Sequence, residues 1–124
     1  MIKPENILSD LNVAVYKDSI SKYPDNAPFN PHVKYPEYFL KYTDDEENYV
    51  YSALRNALQL LGLDADNFGT HMWNPFKELI KPTDTVLIKP NFVLSSHDKG
   101  GDLFSIITHP SIIRAVVDYV YMKL

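Results

Sequence analysis

The sequence predicts an α/β fold, a parallel βαβ-type sheet with helices packed on it, forming a single domain over residues 1–124 or the amino-terminal part of a larger one. Three observations predict it. Residues 12–18 (NVAVYKD) and 85–89 (TVLIK) carry the apolar runs of strands. Between them Val50, Ala53, Leu54, Ala57, Leu58 and Leu61 recur at helical spacing. Beyond them a second helix is marked by Ile112, Ile113, Val116, Val117 and Val120. A strand, a helical crossover and a parallel strand make a unit that is almost always right-handed.

In chain order, the first strand has Val13 and Val15 on one face and Ala14 and Tyr16 on the other. Residues 19–42 hold Pro24, Pro28, Pro31 and Pro36, which forbid a regular helix and predict a long extended insertion. Its aromatics, Tyr23, Phe29, Tyr35, Tyr38 and Phe39, favour an arm packed on the core, because disordered segments are poor in aromatics. The first helix is expected over residues 44–61. Thr43 or Asp44 suits its N-cap, Glu46 and Glu47 its positive end, and Gly62 its stop. Asn74-Pro75 predicts a short helix over residues 76–80, and residues 81–84 turn the chain into the second strand. Two strands rarely make a stable sheet, so a third is expected from residues 19–42, a second copy or further sequence. The last helix, expected over residues 110–124, is still periodic at Leu124 and lacks a stop signal, which predicts continuation into a larger protein.

Chemistry concentrates where the second strand ends and the last helix begins. Ligands in open α/β sheets bind beyond the carboxyl ends of strands, and helix amino termini present unpaired N–H groups to anions. Lys89 can supply a charge and Asn91 a directional amide; the alternative is a solvated lysine and a turn asparagine. Thr108, with His109, can join free backbone N–H groups around phosphate or carboxylate; the alternative is that Thr108 is a simple N-cap before Pro110. His109 is the residue that capping explains least, yet nothing gives it a catalytic partner, so no catalytic residue is assigned. His97, Asp98, Asp102 and His109 have ligand chemistry without the spacing of a metal motif, and no metal site is assigned. Gly100-Gly101 reads as a turn, not as a P-loop. Arg114 and Asp118, four apart, read as a weak surface pair.

The words VLIKPN (residues 86–91) and THPSIIRAVVDYV (residues 108–120) resemble the domain-of-unknown-function 362 family, most closely over residues 83–120. The strand NVAVYKD and the LGL at residues 61–63 fit its amino-terminal part. The resemblance implies an α/β fold and a link to redox proteins, since some members hold iron–sulfur clusters. Such clusters are bound by cysteine thiolates, and this chain has no cysteine, so none can sit on these residues alone and any cluster would need sequence elsewhere.

The formal charge of −4, without a Lys/Arg cluster, argues against a nucleic-acid partner. The first ten residues lack a signal-peptide core, and no apolar run reaches the length of a membrane span, which predicts a soluble, cytoplasmic chain. Two roles follow as expectations: binding of a small anionic ligand through Lys89, Asn91, Thr108 and His109, or a noncatalytic structural or interaction module. The chain alone is expected to be either unstable or self-associated, because the last helix is apolar around much of its circumference.

Overall fold

The computed structural model describes residues 10–20 and 22–124; the absence of a signal peptide, read largely from residues 1–9, lies outside them. Among the described residues there are two α-helices, α1 (Val50–Leu60) and α2 (Pro110–Tyr121), two short 3₁₀ turns at Ala65–Asn67 and Leu103–Ser105, and no β-strand. The expected parallel βαβ sheet is therefore corrected: the fold is a pair of packed helices wrapped by long, ordered irregular segments.

Residues 12–18 and 85–89 do run without helix or turn, but no backbone ladder joins them. A strand is stabilised by its neighbour's N–H and C=O groups, and alternation of apolar residues cannot supply that neighbour. Local caps hold the ends instead. Asp10 and Asp18 accept from the backbone N–H groups of Asn12 and Ile20 at 2.9 and 3.2 Å. Asp84 accepts from the Lys81 N–H at 2.8 Å, and Pro82 and Pro90 contribute no donors. Residues 19–42 supply no third strand among those described.

The core is aromatic. Tyr38, Tyr51, Leu58, Trp73, Ala115 and Tyr119 form one buried cluster between the helices, the Pro-rich arm and the segment after α1. The face that α1 buries carries Tyr51, Leu54, Arg55 and Leu58, rotated from the purely aliphatic stripe read from its sequence. Polar heads are tolerated there because each meets a buried partner. The Tyr51 and Tyr38 hydroxyls both donate to Asp118 Oδ2 at 2.6 Å, while Arg114 Nε donates to Oδ1 at 2.9 Å. Arg114 and Asp118 are thus not the surface pair expected from their spacing; the carboxylate is buried and bridges α2, α1 and the arm.

On α2 the inversion goes further. Its buried residues are Ser111, Ala115, Asp118, Tyr119 and Val120, whereas Ile112, Ile113 and Val116 are half-buried and Val117 is exposed. Small residues let the helix approach α1 closely, and the two long polar ones reach carboxylate or hydroxyl partners.

Both helices are shorter than predicted. The acidic run does not start α1, because it clamps the arm: Asp44 accepts from the Asn30 backbone and side chain at 3.0 Å each, and Glu46 from the Asp25 and Asn26 backbone at 2.6 and 3.1 Å. Asn48 then donates its amide N–H groups to the Phe29 and Asn30 carbonyls of the arm and accepts at Oδ1 from the Val50 N–H, so the helix begins after Tyr49. Residues 76–80, expected as a short helix, form turns about Asn74 and Phe76. The predicted stop at Gly62 is present. Gly62 N–H bonds Gln59 O at 2.8 Å and Leu63 N–H bonds Leu58 O at 3.3 Å, a Schellman pair with Gly62 at φ +73°. An added Cβ would meet no neighbour, so Gly62→Ala is expected to cost only the left-handed backbone strain, about 1 kcal/mol in urea denaturation. A stabilised variant would contradict this reading. α2 ends at Tyr121, with the Met122 N–H on Asp118 O, short of the expected Leu124.

Beyond α1, Asp64 adopts φ +49° and gathers the Asn67 amide, the Asn74 N–H and Lys77. Burial raises its carboxyl, but these hydrogen bonds outweigh that and hold it below the usual carboxylate range. Among the described residues no helix is long and apolar enough to cross a membrane.

Candidate functional site

The structure brings three of the four sequence-predicted site residues to one place. Asn91 and Thr108 meet across the intervening loop through two bonds: the Asn91 N–H donates to Thr108 Oγ1 at 3.0 Å and the Thr108 N–H to Asn91 O at 2.9 Å. The Asn91 amide also donates to Ile106 O at 3.3 Å. His109 follows directly in the chain. Lys89 is exposed and makes no hydrogen bond or ion pair among the described residues.

The N-cap of α2 is His109, not Thr108. With φ −70° and ψ 142°, His109 is extended, and its Nδ1 accepts from the Ser111 N–H at 3.1 Å. The Thr108 hydroxyl instead accepts from the Asn91 N–H. The donors expected to await an anion are consequently occupied: Pro110 has no N–H, Ser111 gives its N–H to imidazole, and Ile112 gives its N–H to His109 O at 3.0 Å.

His109 is only 7% exposed. Tyr23 stacks on its ring at 4.3 Å with an interplanar angle of 3°, and Phe104 and Phe29 meet it edge-on at 4.4 and 5.5 Å. None of these three aromatics was predicted beside the histidine. The arm's aromatic content announced packing, but no local spacing ties residues 23 and 29 to residue 109. Burial lowers the imidazole from its ordinary value, and the nearby Asp102 carboxylate partly offsets this. A cleft of about 330 Å³ opens beside the ring, lined by Lys22, Tyr23, Pro24, Asp25, Asp102, Phe104 and His109. Lys89, Asn91 and Thr108 do not line it.

No family model matches the chain, nor does any curated protein or solved structure.

Ser111 Oγ lies 2.8 Å from His109 Nδ1, the contact of a nucleophile with its base. Ser111 is fully buried, however, and Nδ1 also receives the Ser111 backbone N–H, so the pair serves the helix start and offers no hydroxyl to a substrate. In the loop, His97 Nδ1 accepts from the Lys99 N–H at 3.2 Å and Gly100 turns at φ +68°, which makes the Gly-Gly sequence a turn. Among the described residues no group of three or more His, Cys, Asp or Glu side chains is placed to hold a metal ion.

Proposed function

We propose that this chain is a noncatalytic interaction module whose partner surface is apolar, and that a second copy of the chain is the partner. The observation that carries this reading is the placement of aliphatic residues outward. Leu11, Val13 and Val15 are 92%, 84% and 80% exposed, and Leu87 is 90% exposed. Val117 on α2 and Val93 beyond the second extended segment are exposed as well. Large exposed apolar area is the mark of an interaction surface. The same extended segments leave backbone N–H and C=O groups without a ladder, which a second copy of the same segments can pair with reciprocally.

The ligand-binding alternative receives less support, because the donors at the start of α2 are already bonded within the chain. The domain-of-unknown-function 362 resemblance is compatible with either role, that family being poorly defined biochemically.

Sedimentation equilibrium over a range of concentrations tests the proposal. The wild-type chain is expected to associate, and Val13→Lys with Leu87→Lys to shift it towards monomer with an unchanged circular dichroism spectrum. A wild-type chain that stays monomeric at high concentration would overturn the reading. Titration of the same sample with phosphate and sulfate is expected to leave the amides of Asn91, Ser111 and Ile112 unmoved; saturable shifts there would restore the anion site.

A further inference from the structure

The residue that the interaction surface does not use is His109, a buried titratable group at the start of α2. Its ring is fixed from four sides: Tyr23 and Phe29 from the arm, Phe104 from the loop before α2, and Ser111 from the helix itself. The Ser111 N–H points at Nδ1, so Nδ1 must carry a lone pair and the neutral ring must carry its proton on Nε2. No buried side-chain nitrogen or oxygen lacks a hydrogen-bond partner, and no side-chain or backbone acceptor meets Nε2 among the described residues. Nε2 therefore retains solvent contact, and the cleft that His109 lines supplies it.

We propose that His109 is an acid-sensitive latch on the start of α2, in which protonation of Nδ1 uncaps the helix. Imidazolium has two donors and no acceptor, so the Ser111 backbone N–H would face an N–H. The Ser111 hydroxyl can rotate to accept the new proton across its 2.8 Å contact; the backbone N–H cannot rotate. The added charge also sits at the positive end of the helix dipole.

The charged neighbours modulate the titration without setting its direction. From the arm, Lys22 pairs with Asp25 at 3.0 Å on the cleft rim. From the loop, Asp102 lines the cleft and accepts at Oδ1 from the Phe104 N–H at 2.9 Å, and its charge favours imidazolium. One turn along α2, Arg114 binds Pro28 O at 3.2 Å and Asn30 Oδ1 at 2.9 Å, and its charge is paired with Asp118. From Asp25 onward the arm is clamped by Glu46, Asp44, Asn48 and Arg114. Opening is thus confined to the first turn of α2, with the arm held in place.

The sign follows from burial. The folded imidazole titrates below its ordinary value of 6.5, so the latched form takes up fewer protons than the open one. Closure is complete above that ordinary value and weakens as pH falls through it, by about tenfold for each unit that separates the two states.

The test is amide hydrogen exchange at Ser111, corrected for intrinsic rate, alongside the His109 ring shifts from about pH 7.5 to about pH 5.5. Protection of the wild-type amide is expected to be lost progressively over that range as Nδ1 becomes protonated. His109→Asn keeps a capping side chain that does not titrate, and is expected to make the profile flat. Comparison with it also separates His109 from His32 and His97, whose Nδ1 atoms accept from other backbone N–H groups. Flat protection in the wild type, or an equal fall in His109→Asn, would overturn the latch. Should His109→Asn fail to fold, the wild-type ring decides: titration of His109 with Ser111 protection unchanged overturns it equally.

Discussion

Asp118→Ala is expected to destabilise the chain by about 3–5 kcal/mol, a large share of what a domain of this size has. The carboxylate is the shared acceptor of the Tyr38 and Tyr51 hydroxyls, both at 2.6 Å, and of Arg114 Nε at 2.9 Å. Truncation leaves two buried phenols and a half-buried guanidinium facing a void, and each unpaired group keeps its desolvation cost. Arg114 would also lose the carboxylate that orients it toward Pro28 and Asn30, so the arm should loosen together with the helix contact. Asp118→Asn preserves the volume and one acceptor oxygen, and is expected to lose less. Urea denaturation decides the matter: an Asp118→Ala midpoint equal to wild type would mean that the network contributes nothing. The same site gives an alkaline limit. Burial, and then Asp118, raises the Tyr38 hydroxyl to about 12 and the Tyr51 hydroxyl further. Acids raised on folding stabilise fully below the ordinary tyrosine value and lose that contribution as pH rises through the folded one. Unfolding should therefore accompany tyrosinate absorbance above about pH 10.

Glu37→Ala should cost a similar amount, about 3–5 kcal/mol, by removing the counter-ion of a guanidinium enclosed in aromatic rings. Glu37 accepts from Arg55 Nε at 2.5 Å and its second nitrogen at 3.1 Å, and from the Tyr119 hydroxyl at 2.5 Å. The Arg55 guanidinium carbon stands 4.3 Å from the Tyr35 ring centre, 5.1 Å from Phe68 and 5.5 Å from Trp73. Those faces attract a cation but offer no acceptor, so the carboxylate cannot be replaced from within the cage. Arg55→Lys keeps the charge and loses the two-pronged bond, for which about 1.5–3 kcal/mol is expected. A double-mutant cycle between the two positions should show strong coupling; additivity within about 0.5 kcal/mol would sink the shared-site account.

Read without its structure, the chain determines its punctuation and much of its packing material. Gly62 ends α1 because only a residue at ease with positive φ closes a Schellman pair there, and that requirement is local. Pro110 opens α2 for an equally local reason, its fixed φ and missing N–H suiting the first helical position. Prolines in residues 19–42 preclude a helix, and the aromatics of that segment announce an arm that packs; Tyr38 is indeed buried and Tyr23 lies on His109.

Only the tertiary structure decided the rest. The apolar runs at residues 12–18 and 85–89 read as strands, yet a strand exists only with a ladder partner, and none joins them here. The acidic residues 44–47 read as a helix start, until Asp44 and Glu46 prove to be acceptors for the arm's backbone across intervals of fourteen to twenty-one residues. The face of α2 was misplaced for the same reason: periodicity ranks residues by oiliness, while buried positions were taken by Ser111, whose polar atoms meet His109 two residues away, and by Asp118 and Tyr119, whose polar atoms found partners from distant segments. At the candidate site the sequence placed Thr108 beyond a strand that does not form, and offered it either as an anion ligand or as the helix cap. The structure gives the cap to His109, while the threonine hydroxyl accepts from Asn91, seventeen residues earlier, and a hydrogen bond across that separation leaves no periodic trace in the chain.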